Sequence, residues 1–360
     1  MPKINNEIGI RRWIRAVIQF AALAMILFGG MEALPRKIEA ASPTKLFLPL
    51  VIKSSNTVML GIYPANWWVP MPSDAIHQEL EPVNTWSGKG LSIAGVFHYF
   101  DQPKVVNMML APIWDNGYTP FVNIYADTSA VNIASGGWDQ TIHAWAKDFA
   151  IFADGGRRMA FLAPLQEMNW KGNPYSLDPT NFIKAYKRIQ SIFAQEGVPA
   201  QSVRWVFAPN GYSAPGNPPF ESYYPGDSYV DVVAFSSYNF GTYPSNPYPE
   251  WMSPNDVFVP YIQRMIKMAP SKPIFIAQTG TTAYGGDKNQ WLRDAYPLLA
   301  GYSQIKGVIY YNANVDYDWA FYLPPAVVFN GYKDGVATPV YRYISPTEAR
   351  TLIPDTSIFP

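Results

Sequence analysis

The sequence has no cysteine and only three histidines in 360 residues. The missing thiols exclude disulfide bridges, thiolate nucleophiles and thiolate metal sites. His77, His98 and His143 are too far apart for a zinc motif of the H-E-x-x-H type. Asp227 and Asp231 could bind calcium, but capping of a loop is the better interpretation of this pair. We therefore expect no metal and no other cofactor.

Charged residues are also scarce, at 15%, and their signs balance at 27 basic and 27 acidic residues. This balance gives no reason to expect nucleic acid or another polyanion as a partner. No G-x-G-x-x-G or Walker loop indicates a nucleotide site, and no G-x-S-x-G elbow supports an esterase. We expect a monomer that binds a neutral ligand.

Apolar and aromatic residues are plentiful. Hydrophobic residues make up 48% of the chain, and the aromatic share of 16% includes 12 Trp and 24 Tyr. This is enough apolar material for one large core or two modest ones. Most of the rings should pack inside the protein, but Trp and Tyr also stack on flat apolar faces while their polar groups form hydrogen bonds.

The amino-terminal segment has the pattern of an export signal. Three arginines precede the apolar run 16–30, and small residues follow at Ala40 and Ala41. The run is short for a membrane span, which needs about 20 apolar residues. We expect residues 1–41 to be a signal peptide or an uncleaved anchor and residues 42–56 to be a linker. The protein would then be secreted or held at the cell surface, meeting a membrane only through this segment.

From Thr57 onward, β-branched or aromatic runs alternate eight times with helical patterns, which predicts a parallel sheet with crossover helices. Eight units in about 300 residues fit a (β/α)8 TIM barrel, placed at 57–353 as a single domain with a tail at 354–360. An open doubly wound sheet is the structural rival. The predicted strands begin near Thr57, Leu91, Thr119, Arg158, Val203, Val230, Lys272 and Ile305. The predicted helices include 138–153, 179–195, 256–268 and 288–299.

Polar and aromatic residues follow the apolar part of most predicted strands. In a TIM barrel the carboxyl ends of the strands carry the active site. Amides, phenols and rings at these positions suit a neutral polyhydroxylated ligand. The candidate ligand-binding residues are Tyr63, His98, Gln166, Asn169, Trp170, Asn210, Tyr238, Tyr311 and Trp319.

Glu167 is the acid among these strand-end residues. It follows an apolar strand in "APLQEMNW", where aromatic neighbours could desolvate its carboxyl and raise its proton affinity enough for a general acid. The alternative is an ordinary ion pair with a basic neighbour such as Lys171 or Arg204. Position alone leaves both open.

Four strand-end motifs together resemble glycoside hydrolase family 26, best known for β-mannanases. They are "LQEMNW", "WVFAPN", "VDVVAFSSYNF" and "KPIFIAQTGTT", and the resemblance extends from Gly61 to Trp319. It implies a TIM barrel that acts on or binds a β-linked polysaccharide such as mannan or a β-glucan. It also implies roles for four residues: Glu167 as acid/base, Gln278 at the nucleophile position, Tyr238 as support for the nucleophile, and Trp319 as the tryptophan after the eighth strand.

Two positions depart from the family pattern. Gln166 stands where the family usually has histidine, and Gln278 stands where it has the nucleophilic glutamate. Retaining hydrolysis needs two carboxyl groups about 5 Å apart, one of which forms an ester with the sugar. An amide carries no charge and is a poor nucleophile.

Three interpretations follow from the amide at Gln278. The chain is a glycan-binding barrel without hydrolysis, or an enzyme whose sequence here carries a Glu to Gln substitution. In the third, another carboxylate attacks directly or activates water, with Asp316, Asp318 and Asp127 as candidates. The sequence leaves all three open.

Overall fold

The structure is a computed structural model that describes residues 56–65, 73–246 and 249–357. The predicted signal or anchor at 1–41 and nearly all of the predicted linker at 42–56 lie outside the described residues. The compact unit that contains the described residues begins at Asn56.

Eight parallel strands close into one barrel in sequence order, which confirms the predicted TIM barrel and excludes the open sheet. The ring closes where the first strand pairs in parallel with the eighth, from Met59 opposite Gly307 to Tyr63 opposite Tyr311. The strands are β1 (Met59–Tyr63), β2 (Ile93–Tyr99), β3 (Thr119–Tyr125), β4 (Ala160–Pro164), β5 (Val203–Phe207), β6 (Val232–Asn239), β7 (Ile274–Thr281) and β8 (Ile305–Tyr311).

Helices connect the strands around the outside of the barrel. Asp178 caps the helix that starts at Pro179 by accepting the backbone N–H of Asn181, as the Asp-Pro start predicted. The helices are α1 (Ser73–Ser87), α2 (Val106–Asp115), α3 (Ala130–Ala134), α4 (Asp139–Ala153), α5 (Pro179–Gln195), α6 (Pro254–Met268), α7 (Lys288–Ala300), α8 (Gly331–Gly335) and α9 (Pro346–Leu352). A short antiparallel pair, β9 (Tyr322–Leu323) and β10 (Val327–Val328), follows β8.

Large rings fill the inside of the barrel. Phe161 and Phe275 lie with ring centroids 5.0 Å apart, and Phe121 lies 6.3 Å from each of them. Gly307 leaves room for this layer, because a Cβ there would come within 2.8 Å of the Phe275 ring. The interior is therefore a packed core, and any ligand must bind at its mouth.

The carboxyl-terminal tail is fixed at the amino end of the barrel. The Asp231 carboxylate accepts the backbone N–H groups of Trp205, Thr356 and Ser357, at 2.8, 2.8 and 2.7 Å. This aspartate therefore fixes the main chain, as the capping interpretation expected. Within the described ranges, no helix combines the length and apolarity needed to cross a bilayer, and no three acidic or histidine side chains converge on a metal site.

Candidate active site

The chain makes a strained turn where β4 ends. Leu165 and Glu167 have φ angles of 57° and 52°, in the left-handed region that residues with a Cβ seldom adopt. Strain of this kind costs about 1–3 kcal/mol for each residue and tends to occur at functional sites. This turn could not be predicted from the sequence, because neither residue is glycine or asparagine.

Hydrogen bonds hold this turn in place. The backbone N–H of Glu167 donates to the Ala208 carbonyl at 2.8 Å. Asn173 Nδ2 donates to the carbonyls of Gln166 and Glu167, at 3.1 and 3.0 Å, and the Tyr175 hydroxyl donates to the Gln166 carbonyl at 2.8 Å. The turn is therefore held by its own loop and by the residue that follows β5, and it aims Glu167 in one direction.

The Glu167 side chain is 2% exposed. Burial raises its pKa to about 7, although the Ser236 hydroxyl and the Asn210 side chain partly oppose that shift. Its Oε2 has no hydrogen-bond partner. A carboxyl that holds its proton near neutral pH and has an unused oxygen can donate that proton to a ligand oxygen.

Arg204, one of the proposed ion-pair partners of Glu167, is bonded elsewhere. Its guanidinium donates to the carbonyls of Ile353 and Val203, at 2.6 and 2.8 Å. Lys171 is exposed, and the ion pairs of the described residues do not include Glu167. The ordinary ion-pair explanation of Glu167 therefore has no support in this geometry.

Gln278, which the resemblance puts at the nucleophile position, is 5% exposed and bonded through both ends of its amide. Its Oε1 accepts the Tyr238 hydroxyl at 3.1 Å, and its Nε2 donates to Gln166 Oε1 at 3.2 Å. The two positions that depart from the family pattern are thus in direct contact. The bond between them runs one way, from the Gln278 amide nitrogen to the Gln166 amide oxygen.

Tyr63 forms the floor beneath this centre. Its ring lies over Gly95, where a Cβ would come within 2.5 Å of it, and it is fully buried. Its hydroxyl crosses the barrel to donate to the Ala277 carbonyl at 2.8 Å and accepts Asn123 Nδ2 at 2.6 Å. The structure therefore corrects the prediction that Tyr63 lines the groove, because Tyr63 lies below it.

Two asparagines fix the end of β5 against Glu167. Asn169 Nδ2 donates to the Asn210 carbonyl at 2.8 Å, and Asn169 Oδ1 accepts the Asn210 N–H at 2.9 Å. The Asn210 side chain in turn lowers the pKa of Glu167. Asn210 is therefore at the centre, whereas Asn169 holds it in place.

The aromatic ligand-binding candidates are placed differently from one another. Tyr311 is 8% exposed and lies 6.0 Å from the Tyr63 ring, centroid to centroid. Trp170 is half-buried and packs over Gly172 in the turn after Glu167, so its contact with a ligand stays a prediction.

Trp319 requires a correction. Its ring was expected to offer a face to the ligand, but it is only 3% exposed. The rings of Tyr238, Phe240 and Tyr317 lie 5.0, 5.1 and 4.9 Å from it and surround it. The Trp319 ring therefore packs against the Tyr238 ring and supports it.

His98 also requires a correction. Its side chain points away from the barrel axis toward α4, where its Nδ1 lies 2.9 Å from Trp145 Nε1. It is 2% exposed, and burial lowers its pKa to about 4. Side chains alternate along a strand, so His98 faces the helices while its neighbours face inward. The prediction that it contacts a ligand is wrong.

Sequence reasoning missed Ser236 as a site residue. It pairs with Gln278 across the β6 and β7 ladder, forms a bridge with Asn210, and lowers the pKa of Glu167. The only signal was its position in "AFSSYNF", where either serine could have faced inward. The bulge between Phe235 and Ser236 determines that Ser236 is the serine that faces inward.

The three alternative carboxylates are not equivalent. Asp127 is exposed, and Asp318 Oδ2 accepts the backbone N–H of Ala283 at 3.0 Å. Asp316 is half-buried, its pKa is raised by burial, and its Oδ1 accepts the Trp319 indole N–H at 3.2 Å. Its charge also reaches the Tyr238 phenol. Of these carboxylates, Asp316 has the clearest link to the centre.

Comparison with known proteins gives one relative by sequence and a group of structures. No family model matches the chain. Endoglucanase H of Acetivibrio thermocellus is 27% identical over 216 residues, which span 58% of this chain and 23% of endoglucanase H. This chain thus matches about a quarter of the length of that relative.

The solved structures include three family 26 domains or mannanases. An endo-β-1,4-mannanase from Cellulomonas fimi has a TM-score of 0.58 at 12% identity, covering 84% of this chain and 74% of the mannanase. A family 26 domain from Prevotella bryantii has a TM-score of 0.56 at 13% identity, covering 82% of this chain and 92% of that domain. A β-mannanase from Bacteroides ovatus has a TM-score of 0.55 at 13% identity, covering 85% of this chain and 91% of the mannanase. This chain has the barrel fold of the glycoside hydrolase family 26 domains.

Proposed function

We propose that this protein is a glycoside hydrolase-type barrel that binds a β-linked polysaccharide, such as mannan or a β-glucan, without forming a glycosyl-enzyme intermediate. The observation that carries the proposal is the bonded amide pair of Gln278 and Gln166. An amide that donates to one neighbour and accepts from another is held in place, but it has no charge with which to attack the anomeric carbon.

The ligand class follows from the chemistry of the mouth. Glu167, Gln166, Gln278 and Asn210 supply donors and acceptors, and phenols surround them. Such groups suit neutral hydroxyl-rich ligands. The relatives by fold include enzymes named as mannanases, and the relative by sequence is named as an endoglucanase. We extend the ligand class to this chain on that basis, and we propose export from the pattern at 1–41.

A second candidate function is hydrolysis with a different carboxylate. Asp316 favours it, because burial raises the pKa of this side chain and its charge acts on Tyr238. In that case Glu167 protonates the leaving oxygen and Asp316 activates a water molecule on the other face of the sugar.

Calorimetric titration with manno-, gluco- and xylo-oligosaccharides tests the proposal. We expect one series to bind and Glu167→Ala to weaken that binding, because the unpaired Oε2 is lost. Tyr343→Phe is the control, since the Tyr343 hydroxyl bonds to the Gly117 carbonyl at the amino end of β3, far from the mouth. Failure of every series to bind would contradict the glycan function.

A further inference from the structure

A buried lysine begins helix α7. Lys288 is 2% exposed, and its Nζ donates to the carbonyls of Asp318, Trp319 and Ala320, the latter two at 2.9 and 3.1 Å. The Phe329 ring lies 4.7 Å from the same nitrogen. All three ammonium protons are therefore used on three consecutive carbonyls of the loop after β8.

This arrangement carries an energetic cost. Burial lowers the pKa of Lys288 to about 7, and the positive end of the α7 dipole adds to the cost of a cation there. A long apolar side chain would avoid both costs. It could not, however, turn three successive carbonyls toward one point.

The loop that Lys288 binds, residues 318–320, contacts the candidate active site through Trp319. The Trp319 carbonyl also accepts the Tyr310 hydroxyl at 2.9 Å. The Trp319 ring packs over Gly280, where a Cβ would come within 3.0 Å of it, and against Tyr238. Tyr238 then donates to Gln278. Contacts thus run without a break from Lys288 to the amide at the nucleophile position.

We propose that Lys288 is a positioning residue, which binds the carbonyls of residues 318–320, holds the Trp319 ring against Tyr238, and so sets the Tyr238 hydroxyl on Gln278. Lys288 itself does not touch the glycan. The effect on glycan affinity rests on the proposed function, whereas the effect on Trp319 does not.

The test compares Lys288→Met with Lys272→Met. Lys272 is a matched control, because it is 5% exposed and its Nζ donates to the Asp227 carbonyl at 2.7 Å, at the amino end of the barrel. Trp319 is observed by fluorine NMR of 5-fluorotryptophan-labelled protein, with its resonance assigned by Trp319→Phe. We expect Lys288→Met to shift or broaden that resonance and to weaken oligosaccharide binding about tenfold. Lys272→Met should do neither.

A second measurement applies if Lys288→Met does not fold. The Trp319 resonance is followed from pH 5 to 9 in a Glu167→Gln background, which removes the nearby carboxyl that also titrates near neutrality. The background also carries Asp316→Asn, because Asp316 Oδ1 accepts the Trp319 indole N–H and burial raises the pKa of this carboxyl. The other polar or charged groups around Lys288 are the Asp318 carboxylate, the Tyr310 hydroxyl and the helix cap Asp287. We expect the resonance to move near pH 7, because a neutral amine has two protons for three carbonyls.

The outcomes separate the two proposals. A Trp319 resonance that is unchanged by Lys288→Met, or equally changed by Lys272→Met, would overturn the positioning role. If Lys288→Met does not fold, a Trp319 resonance that stays constant from pH 5 to 9 would also overturn the positioning role. Absence of glycan binding by every protein, with the Trp319 response intact, would contradict the proposed function alone.

Discussion

At the scale of single residues, the contact between Gln166 and Gln278 explains how the amide is held at the position that the family resemblance gives to the nucleophile. Gln166 would also suit a carboxylate at position 278, because its amide can present its nitrogen as a donor. Here the neighbour is also an amide, and it accepts the Gln278 Nε2 proton at 3.2 Å. Both ends of the Gln278 amide are therefore bonded and its side chain is held in place, which suits the proposed glycan-binding barrel.

Glu167 should make stability fall as pH rises. Its folded pKa of about 7 lies above the unfolded value near 4.5, so between these values the folded protein keeps a proton that the unfolded chain has lost. Glu167→Gln removes this effect and should gain stability relative to the parent, up to about 3 kcal/mol above pH 7. Urea unfolding at pH 5 and pH 8 measures it. An equal stability difference at both pH values would contradict the raised pKa.

Tyr63→Phe tests the floor of the site. The substitution removes a buried hydroxyl that donates to Ala277 and accepts from Asn123, which leaves both groups unpaired. We expect a loss of about 1–3 kcal/mol in the free energy of unfolding. Tyr343→Phe is the control, because its hydroxyl lies in an exposed part of the chain. Equal losses for the two variants would argue against a special role for Tyr63.

At the scale of secondary structure, the sequence predicted the elements better than the site. All eight strands and the helices near 138–153, 179–195, 256–268 and 288–299 form where the hydrophobic patterns indicated. Local periodicity reports which residues are buried, so it locates strands and helices reliably. It does not report which face of a strand points inward.

That limit explains the corrections at the site. His98 was assigned to the mouth by its place at the strand end, but the alternation of the strand turns it toward α4. The left-handed turn around Gln166 and the bulge beside Ser236 depend on contacts between neighbouring strands. Glu167 was a candidate from its place at a strand end, but the acid/base role of Glu167 and the role of the Gln278 position came from the resemblance of motifs.

The loop after β4 should be sensitive to the loss of Asn173. This side chain donates to two carbonyls of a turn whose residues adopt left-handed conformations. We expect Asn173→Ala to cost about 1–3 kcal/mol in stability and to weaken glycan binding, because the direction of Glu167 is released. Thermal unfolding and titration calorimetry measure the two effects. Unchanged affinity would show that the turn holds its shape without Asn173.

At the scale of the whole molecule, the two ends of the barrel have different roles: one end holds the candidate ligand site, and the other contributes to stability. The carboxyl ends of the strands hold the candidate site, and the amino end is closed by the tail on Asp231. The aromatic core between them isolates one end from the other. Changes at the amino end should therefore alter stability and leave ligand binding intact.

Removal of residues 355–360 tests this separation. The truncation takes away the backbone N–H groups of Thr356 and Ser357 and leaves the buried Asp231 carboxylate with fewer donors. We expect a loss of about 1–3 kcal/mol in the free energy of unfolding with oligosaccharide affinity unchanged. The affinity is measured at a temperature below the melting temperature of the truncated protein. A drop in oligosaccharide affinity under that condition would contradict the separation of the two ends.

The most direct test of the central claim is a hydrolysis assay on the glycan series that binds. Product sugars are measured for the parent, Gln278→Glu, the double variant Gln278→Glu with Gln166→His, and Asp316→Asn. We predict binding but no turnover by the parent, and turnover with retained configuration by the double variant, in which a carboxylate replaces the amide and a new donor faces it. Hydrolysis by the unmodified protein that is lost in Asp316→Asn would contradict the claim and establish Asp316 as the second catalytic carboxylate.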